Sequence, residues 1–460
     1  MERNVAWNTY SEEDLAKLDR LSKDYAKFLD NGKTERECVR EAVKLAEAKG
    51  YRCLDAAIEK GEKLAAGDCV YQNWMGKAIM MFKIGKQPIE KGINIVGAHI
   101  DSPRMDLKQN PLYEDTGIAY LDTHYYGGIK KYQWVTLPLA LHGVVAKKDG
   151  TVIDVVIGED PVDPVVGISD LLIHLSADQM GKKASVVIEG EELNVIIGGQ
   201  PLKDEEKDPV KANMLKILKE KYDIEEEDFL SAEIEVVPAG PTRDFGLDRS
   251  MILGYGHDDR VCAYAQIDAI LSIDEIPEKT ICCILADKEE IGSVGATGMT
   301  GKYFENAVAE IMNLTGDYCE LKLRRALRRS RMLSCDVSAG YDPNFAGVFE
   351  RKNSAYLGRG VCFNKYTGSR GKGGSNDANA EYLGDLRKLM DDAGVNFQTA
   401  ELGKVDQGGG GTIAYICAVY GMEVIDSGVA VLSMHAPWEI ISKADLYEAA
   451  KAYRAFMLNA

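Results

Sequence analysis

Nothing in the chain approaches the run of about 18 apolar residues that a membrane-spanning helix requires. No Cys-x-x-Cys pair and no zinc-finger spacing occurs among its ten cysteines, which are scattered apart from Cys282-Cys283. The first absence excludes a membrane-spanning helix of that kind. The second favours buried, reduced thiols over a disulfide framework. An export signal is also missing, because Met1-Glu2-Arg3-Asn4 leads into a polar, helix-forming stretch; a cytoplasmic protein is expected. Basic excess is lacking too: 55 Lys and Arg stand against 73 Asp and Glu, a net charge of -18. That balance argues against nucleic acid or an anionic membrane as partner. No internal repeat or low-complexity tract breaks the chain.

What is present is 460 residues, 45% of them hydrophobic, enough for a large core and two or three domains. Ser11 opens a helix whose Leu15, Leu18, Leu21, Tyr25 and Phe28 share one face. Thr34-Glu35-Arg36-Glu37 is a capping box for a second helix running to Gly50. Ile93 to Ala98 reads as a buried strand. From about residue 106 to 245 the character changes to strand-like patches (152–157, 185–188, 193–197, 234–237) with short helical pieces near 171–180 and 213–221. After Gly254, strands and helices alternate again: an amphipathic helix over 259–273, strands at 280–286, 332–335 and 429–433, and helices at 377–392, 412–419 and from Ser442 to the end. The expected fold is α/β, a mostly parallel-stranded central sheet flanked by helices. Residues 1–105 and 246–460 form its two parts, and 106–245 form an inserted β-rich domain.

Five groups stand out in this frame: His99 with Asp101, Asp258-Asp259, Glu289-Glu290, Asp336 and His435. Four of them follow predicted strands and Asp258 opens a helix, so the carboxyl edge of one sheet can gather them. Two histidines with several carboxylates suit zinc, cobalt or manganese better than calcium. Asp101 is placed to orient His99 as a ligand. Two metals about 3.5–4 Å apart need an anion between them, and Asp258 is assigned as that bridge. His99 and one carboxylate complete one ion, and His435 with another completes the second. Of the paired acids, Glu289 is assigned as general base and Glu290 as ligand, an order that spacing alone does not decide. His124, His142 and His257 are read as structural or surface residues.

The segments Ala98-His99-Ile100-Asp101-Ser102-Pro103, His257-Asp258-Asp259-Arg260, Asp287-Lys288-Glu289-Glu290-Ile291-Gly292-Ser293, Cys335-Asp336-Val337 and Ser433-Met434-His435-Ala436-Pro437 resemble those of the di-zinc aminopeptidases related to aspartyl aminopeptidase and vacuolar aminopeptidase I. The resemblance spans nearly the whole chain. It implies a zinc-exopeptidase type fold, with His99, Asp258, Glu290, Asp336 and His435 as metal ligands and Glu289 as base. It also implies a homo-oligomer in which the inserted domain builds dimers that assemble into a dodecamer. His174 is the match for a histidine that reaches the neighbouring subunit's active site, with a buried helical histidine as the alternative. Lys365 is the match for a substrate-side residue facing an acidic side chain. Gly371 to Asn376 departs from the aspartyl enzymes' pattern, which loosens the expected preference for acidic N-terminal residues.

The activity expected is removal of acidic or neutral N-terminal residues from peptides by water attack at two divalent ions, zinc first among them. The alternatives are a related two-metal amide hydrolase, either deacylase or carboxypeptidase, and a non-catalytic assembly protein on the same fold.

Overall fold

The computed structural model describes residues 4–460. Met1 to Arg3, which the sequence reading places ahead of the first helix, lie outside the described residues. The chain divides into two compact units, residues 1–101, 242–434 and 439–460 in the first, and 102–241 with 435–438 in the second. No helix among the described residues is long and apolar enough to cross a membrane.

The first unit is built on a nine-stranded sheet. Its order is Arg52–Cys53, Cys69–Trp74, Ala78–Lys83, Thr280–Ala286, Ile93–His99, Arg331–Cys335, Glu423–Gly428, Val361–Asn364, Phe397–Thr399. The four strands from Thr280–Ala286 to Glu423–Gly428 run parallel. Ala78–Lys83 is antiparallel to both of its neighbours, and Val361–Asn364 is antiparallel to Glu423–Gly428. The sheet is therefore mixed around a parallel centre. Its central strands read as unbroken apolar runs because both faces are covered. Alternate side chains go to different cores: Ile281, Cys283 and Leu285 to one, Cys282, Ile284 and Ala286 to the other.

Helices make the second layer on each face. Glu12–Asn31 and Glu35–Ala48 both start with capping boxes, Ser11 with Asp14 and Thr34 with Glu37. Leu18, Leu21, Tyr25 and Phe28 of the first helix are buried, whereas Leu15 in its opening turn is 42% exposed. The helix His257–Leu271 differs from its expected amphipathic form. Thirteen of its residues are buried, because it lies within the core on the same face as Lys443–Asn459, itself almost wholly buried. A five-stranded sheet also belongs to this unit, in the order Arg243–Phe245, Met251–Gly254, Glu439–Ser442, Ala430–Leu432, Ser338–Ala339.

The second unit carries a six-stranded, wholly antiparallel sheet. Its order is Val152–Ile157, Leu139–Ala146, Ala232–Pro238, Arg104–Asp115, Ile118–Tyr126, Val195–Gly198. Thr116 and Gly117, both at positive φ, make the tight turn between two of these strands. The strand expected at 185–188 is instead turn and bend. Val186 donates its N–H to the Lys183 carbonyl and is exposed, and the sheet edge is already taken by Val195–Gly198. The helical pieces expected near 171–180 are a short turn, Ile173–Leu175, and one turn of helix, Ala177–Met180.

Candidate metal centre

Three adjacent parallel strands deliver the site. His99 ends Ile93–His99 and pairs in register with Ala286, the last residue of Thr280–Ala286. Arg331–Cys335 ends one residue before Asp336. Beyond Ala286 the chain turns through Lys288 at φ 67° and closes the short turn Glu289–Ile291 with Gly292 at φ 96°. Asp287 anchors that turn, accepting from Thr297 Oγ1 at 2.5 Å and Lys288 Nζ at 2.8 Å. Asp258 enters at the start of His257–Leu271, where Asp258 and Asp259 depart from helical geometry; the peptide bond between them is cis.

These residues converge. One ligand atom from each of His99, Asp258 and Glu290 lies within 4.8 Å of the others, and the same holds for His99, Glu289 and Asp336. His99 Nε2 is 3.2 Å from Asp258 Oδ1. Its Nδ1–H faces the Asp101 main-chain oxygen at 3.0 Å and Asp101 Oδ1 at 3.4 Å. That fixes the orientation of the ring and turns Nε2 toward the acids. Burial opposes a charged His99, but Asp101, Asp258 and Glu289 outweigh it and hold its pKa well above the usual range. Asp336 is pushed well up by burial and then by the negative charge of Glu289 and Asp258.

Carboxylates gathered this closely repel one another, and cations between them reverse the sign of that interaction. The donors are imidazole nitrogen and carboxylate oxygen with no thiolate, a set that fits zinc. The residues present therefore suit a divalent metal on their chemistry.

The supporting shell is largely main chain. Asp101 accepts from the backbone N–H of Glu289 at 3.1 Å and of Glu290 at 3.2 Å. Arg260, fully buried, donates Nε–H to the Ile100 carbonyl at 3.0 Å and Nη2–H to Lys33 at 2.9 Å. Gly428 packs so closely that a Cβ there would lie 1.9 Å from the Asp336 carbonyl oxygen. Glu439, 1% exposed, accepts from the Asp258 N–H at 3.0 Å. Sequence reading assigned no role to Arg260, Gly428 or Glu439. The one signal available was that Arg260 lies inside a quoted motif.

The remaining expected residues are not members of these two clusters. His435 belongs to the second unit, outside both ligand clusters. There it sits at φ 64° and donates Nδ1–H to the Gly128 carbonyl at 2.8 Å. His174 is exposed in the turn Ile173–Leu175, flanked by Leu172 at 53%, Ile173 at 70% and Leu175 at 69% exposure; the buried alternative is excluded. Lys365 Nζ is 2.7 Å from Asp377 Oδ1, and Lys372 takes the other oxygen at 3.1 Å. Of the histidines read as structural, His257 is buried between Tyr25 Oη at 2.6 Å and the Ile252 carbonyl at 3.2 Å. His142 pairs with Glu159 at 3.1 Å, and His124 is exposed. All ten cysteines are free thiols.

Comparison with known proteins adds the family. Residues 28–457 match the model of the aminopeptidase I zinc metalloprotease family, M18. The chain is 62% identical over 455 residues to the "Probable M18 family aminopeptidase 1" of Clostridium acetobutylicum, covering 99% of this chain and 98% of that one. The crystal structure of an M18 family aminopeptidase from Thermotoga maritima superposes with a TM-score of 0.95 at 46% identity over 100% of both chains. The S. cerevisiae mApe1 dodecamer shares the fold, with a TM-score of 0.77 at 20% identity over 96% of this chain and 97% of that one. The match selects the aminopeptidase among the alternatives that the residues left open. The chain belongs to the M18 family of zinc metallo-aminopeptidases and is a hydrolase of that class.

Proposed function

We propose that the chain removes single N-terminal residues, acidic or neutral, from peptides at a two-ion centre in which Glu289 is the general base. The observation that carries this is the meeting of His99, Asp258, Glu289, Glu290 and Asp336 in two overlapping clusters. His99, Asp258, Glu290 and Asp336 would hold the ions, together with His435. The role of His435 rests on its sequence motif and on its Nδ1–H bond to Gly128, the kind of outer bond that ligating histidines make. Bound zinc would supply Lewis acidity and make water a nucleophile near neutral pH. Glu289 takes the proton from the attacking water and returns it to the departing amine. Asp101 holds the main chain of Glu289 and Glu290 while it orients His99. A bound ion or a nearby carboxylate would receive the free α-amine of the substrate.

The charge of Lys365 is already answered by Asp377, which supports a site that is not reserved for acidic side chains. Exposed Leu172, Ile173 and Leu175 around His174 support self-association through the second unit, since such a patch seeks cover. We infer dimers assembling to a dodecamer, with His174 entering a neighbour's site. Ten free thiols accord with a cytoplasmic location.

The test pairs substrate with variant. A peptide with a free N-terminus should be cleaved and its N-acetylated form should not. Glu289→Gln should lose about 10²–10⁴-fold in kcat while retaining its zinc. Equal cleavage of the acetylated peptide, or loss of zinc on that substitution, would overturn the reading.

A further inference from the structure

We propose that Glu439 is a positioning residue for the metal-binding carboxylate of Asp258, an inference that rests on Asp258 being a ligand as proposed above. Asp258 Oδ1 meets His99 Nε2 at 3.2 Å, so its side chain has to leave the main chain in one direction. The backbone at Asp258 is not helical, with φ -79° and ψ 106°, and the helical ladder does not hold that peptide. Glu439 Oε2 does, accepting its N–H at 3.0 Å.

The carboxylate of Glu439 is itself held by regular structure. Glu439 opens the strand Glu439–Ser442 and pairs with Gly254 of Met251–Gly254, three residues before the helix begins. Its charge is felt by the buried phenol of Tyr25, whose hydroxyl donates to His257 Nδ1 at 2.6 Å. His257 Nε2–H in turn donates to the Ile252 carbonyl at 3.2 Å. The peptide that carries Asp258 is thus flanked by His257, whose ring is held by Tyr25 and Ile252, while its own N–H is held by Glu439. An acceptor at a helix N-terminus is favourable in itself. Here the same acceptor also sets the origin of a ligand side chain.

Three variants separate positioning from simple capping. Glu439→Gln keeps an acceptor oxygen in place without the charge, Glu439→Asp keeps the charge but withdraws it by one methylene, and Glu439→Ala removes both. Zinc retention against a competing chelator, kcat and KM taken apart, and the melting midpoint of metal-free protein are measured for each. Glu439→Ala should lose about 10–100-fold in zinc affinity and in kcat with KM unchanged, and Glu439→Gln should stay closer to the parent than Glu439→Asp does. A fall in the metal-free melting midpoint with zinc affinity and kcat intact would reduce Glu439 to a helix cap and overturn the proposal. If Glu439→Ala does not fold, the order of the other two decides, and Asp outperforming Gln in zinc retention overturns it. Asp258→Asn is the control: parental zinc affinity there would sink the ligand assignment itself, whereas loss there with none at Glu439 sinks only this inference.

Discussion

Asp101 and Glu289 are joined through the main chain: the Asp101 carboxylate accepts the Glu289 N–H at 3.1 Å and, through its other oxygen, the Glu290 N–H at 3.2 Å. A residue read as the orienter of His99 therefore also holds the main chain of Glu289, the proposed base, and of Glu290. Asp101→Asn would place an NH2 group against one of those two N–H donors. The expected result is a fall in kcat of about 10–100-fold with folding retained, measured by steady-state peptide hydrolysis alongside circular dichroism.

Gly428 offers a purely steric test. A Cβ at this position would stand 1.9 Å from the Asp336 carbonyl oxygen and 2.6 Å from its carbon, both backbone atoms that cannot swing aside. Gly428→Ala should displace Asp336, costing about 1–3 kcal/mol by overpacking and most of the activity. Urea denaturation and peptide hydrolysis, measured together, check both parts.

Metal removal should carry a pH signature. His99 and Asp336 both have pKa values raised in the folded chain. A raised histidine stabilises fully below about pH 6.5 and loses that contribution as pH rises through its folded value. A raised carboxyl binds protons better in the folded chain, so stability likewise falls as pH climbs above about 4. Both signs agree. The gap in melting temperature between zinc-loaded and metal-free protein should widen from about pH 5 to pH 8. A gap that narrows over that interval would contradict the assigned cluster.

Asp445 tests the scaffold away from the metals. It is fully buried and accepts from the N–H groups of Gly358 at 2.8 Å and Gly360 at 2.7 Å. Burial raises its carboxyl to about 7 despite those bonds. The folded chain then holds this proton more tightly than the unfolded chain, and stability falls as pH rises from about 4 to 7. Asp445→Asn should flatten that part of the urea-midpoint profile. It should also cost about 1–3 kcal/mol for the N–H left facing an amide.

Exposure on the second unit predicts an assembly variant. Ile173 at 70% and Leu175 at 69% exposure flank His174, and Ile173→Asp with Leu175→Asp should shift light-scattering mass toward smaller species. Mass unchanged by both substitutions would place the contact elsewhere.

Legibility followed how local the determinant was. Strands 280–286 and 152–157 were read to the residue because apolar and β-branched runs mark strands from within. The first helix is readable from the helical spacing of its apolar residues and the second from a capping box confined to four residues. The stretch 259–273 reads as an amphipathic helix, but the observed helix His257–Leu271 is buried on nearly every side. Arg260 and Gln266 are buried, and each is satisfied by a distant carbonyl, Ile100 for one and Ile284 for the other. Strand direction was less legible: Ala78–Lys83 is buried along its whole length like Thr280–Ala286 beside it and runs antiparallel to it.

Side-chain type and local spacing singled out His99, Asp101, Asp258, Glu289, Glu290, Asp336 and His435 as candidates, since imidazole and carboxylate at strand ends have few structural uses in a buried sheet edge, and left their roles open. What the tertiary structure decided was how those groups are held. Glu439 reaches Asp258 across 181 positions and Asp101 reaches Glu289 across 188. A hydrogen bond to a main-chain N–H leaves no mark in the identity of the residue that donates it. The acceptors that aim the site could be seen only once the folded chain had brought those peptides to them.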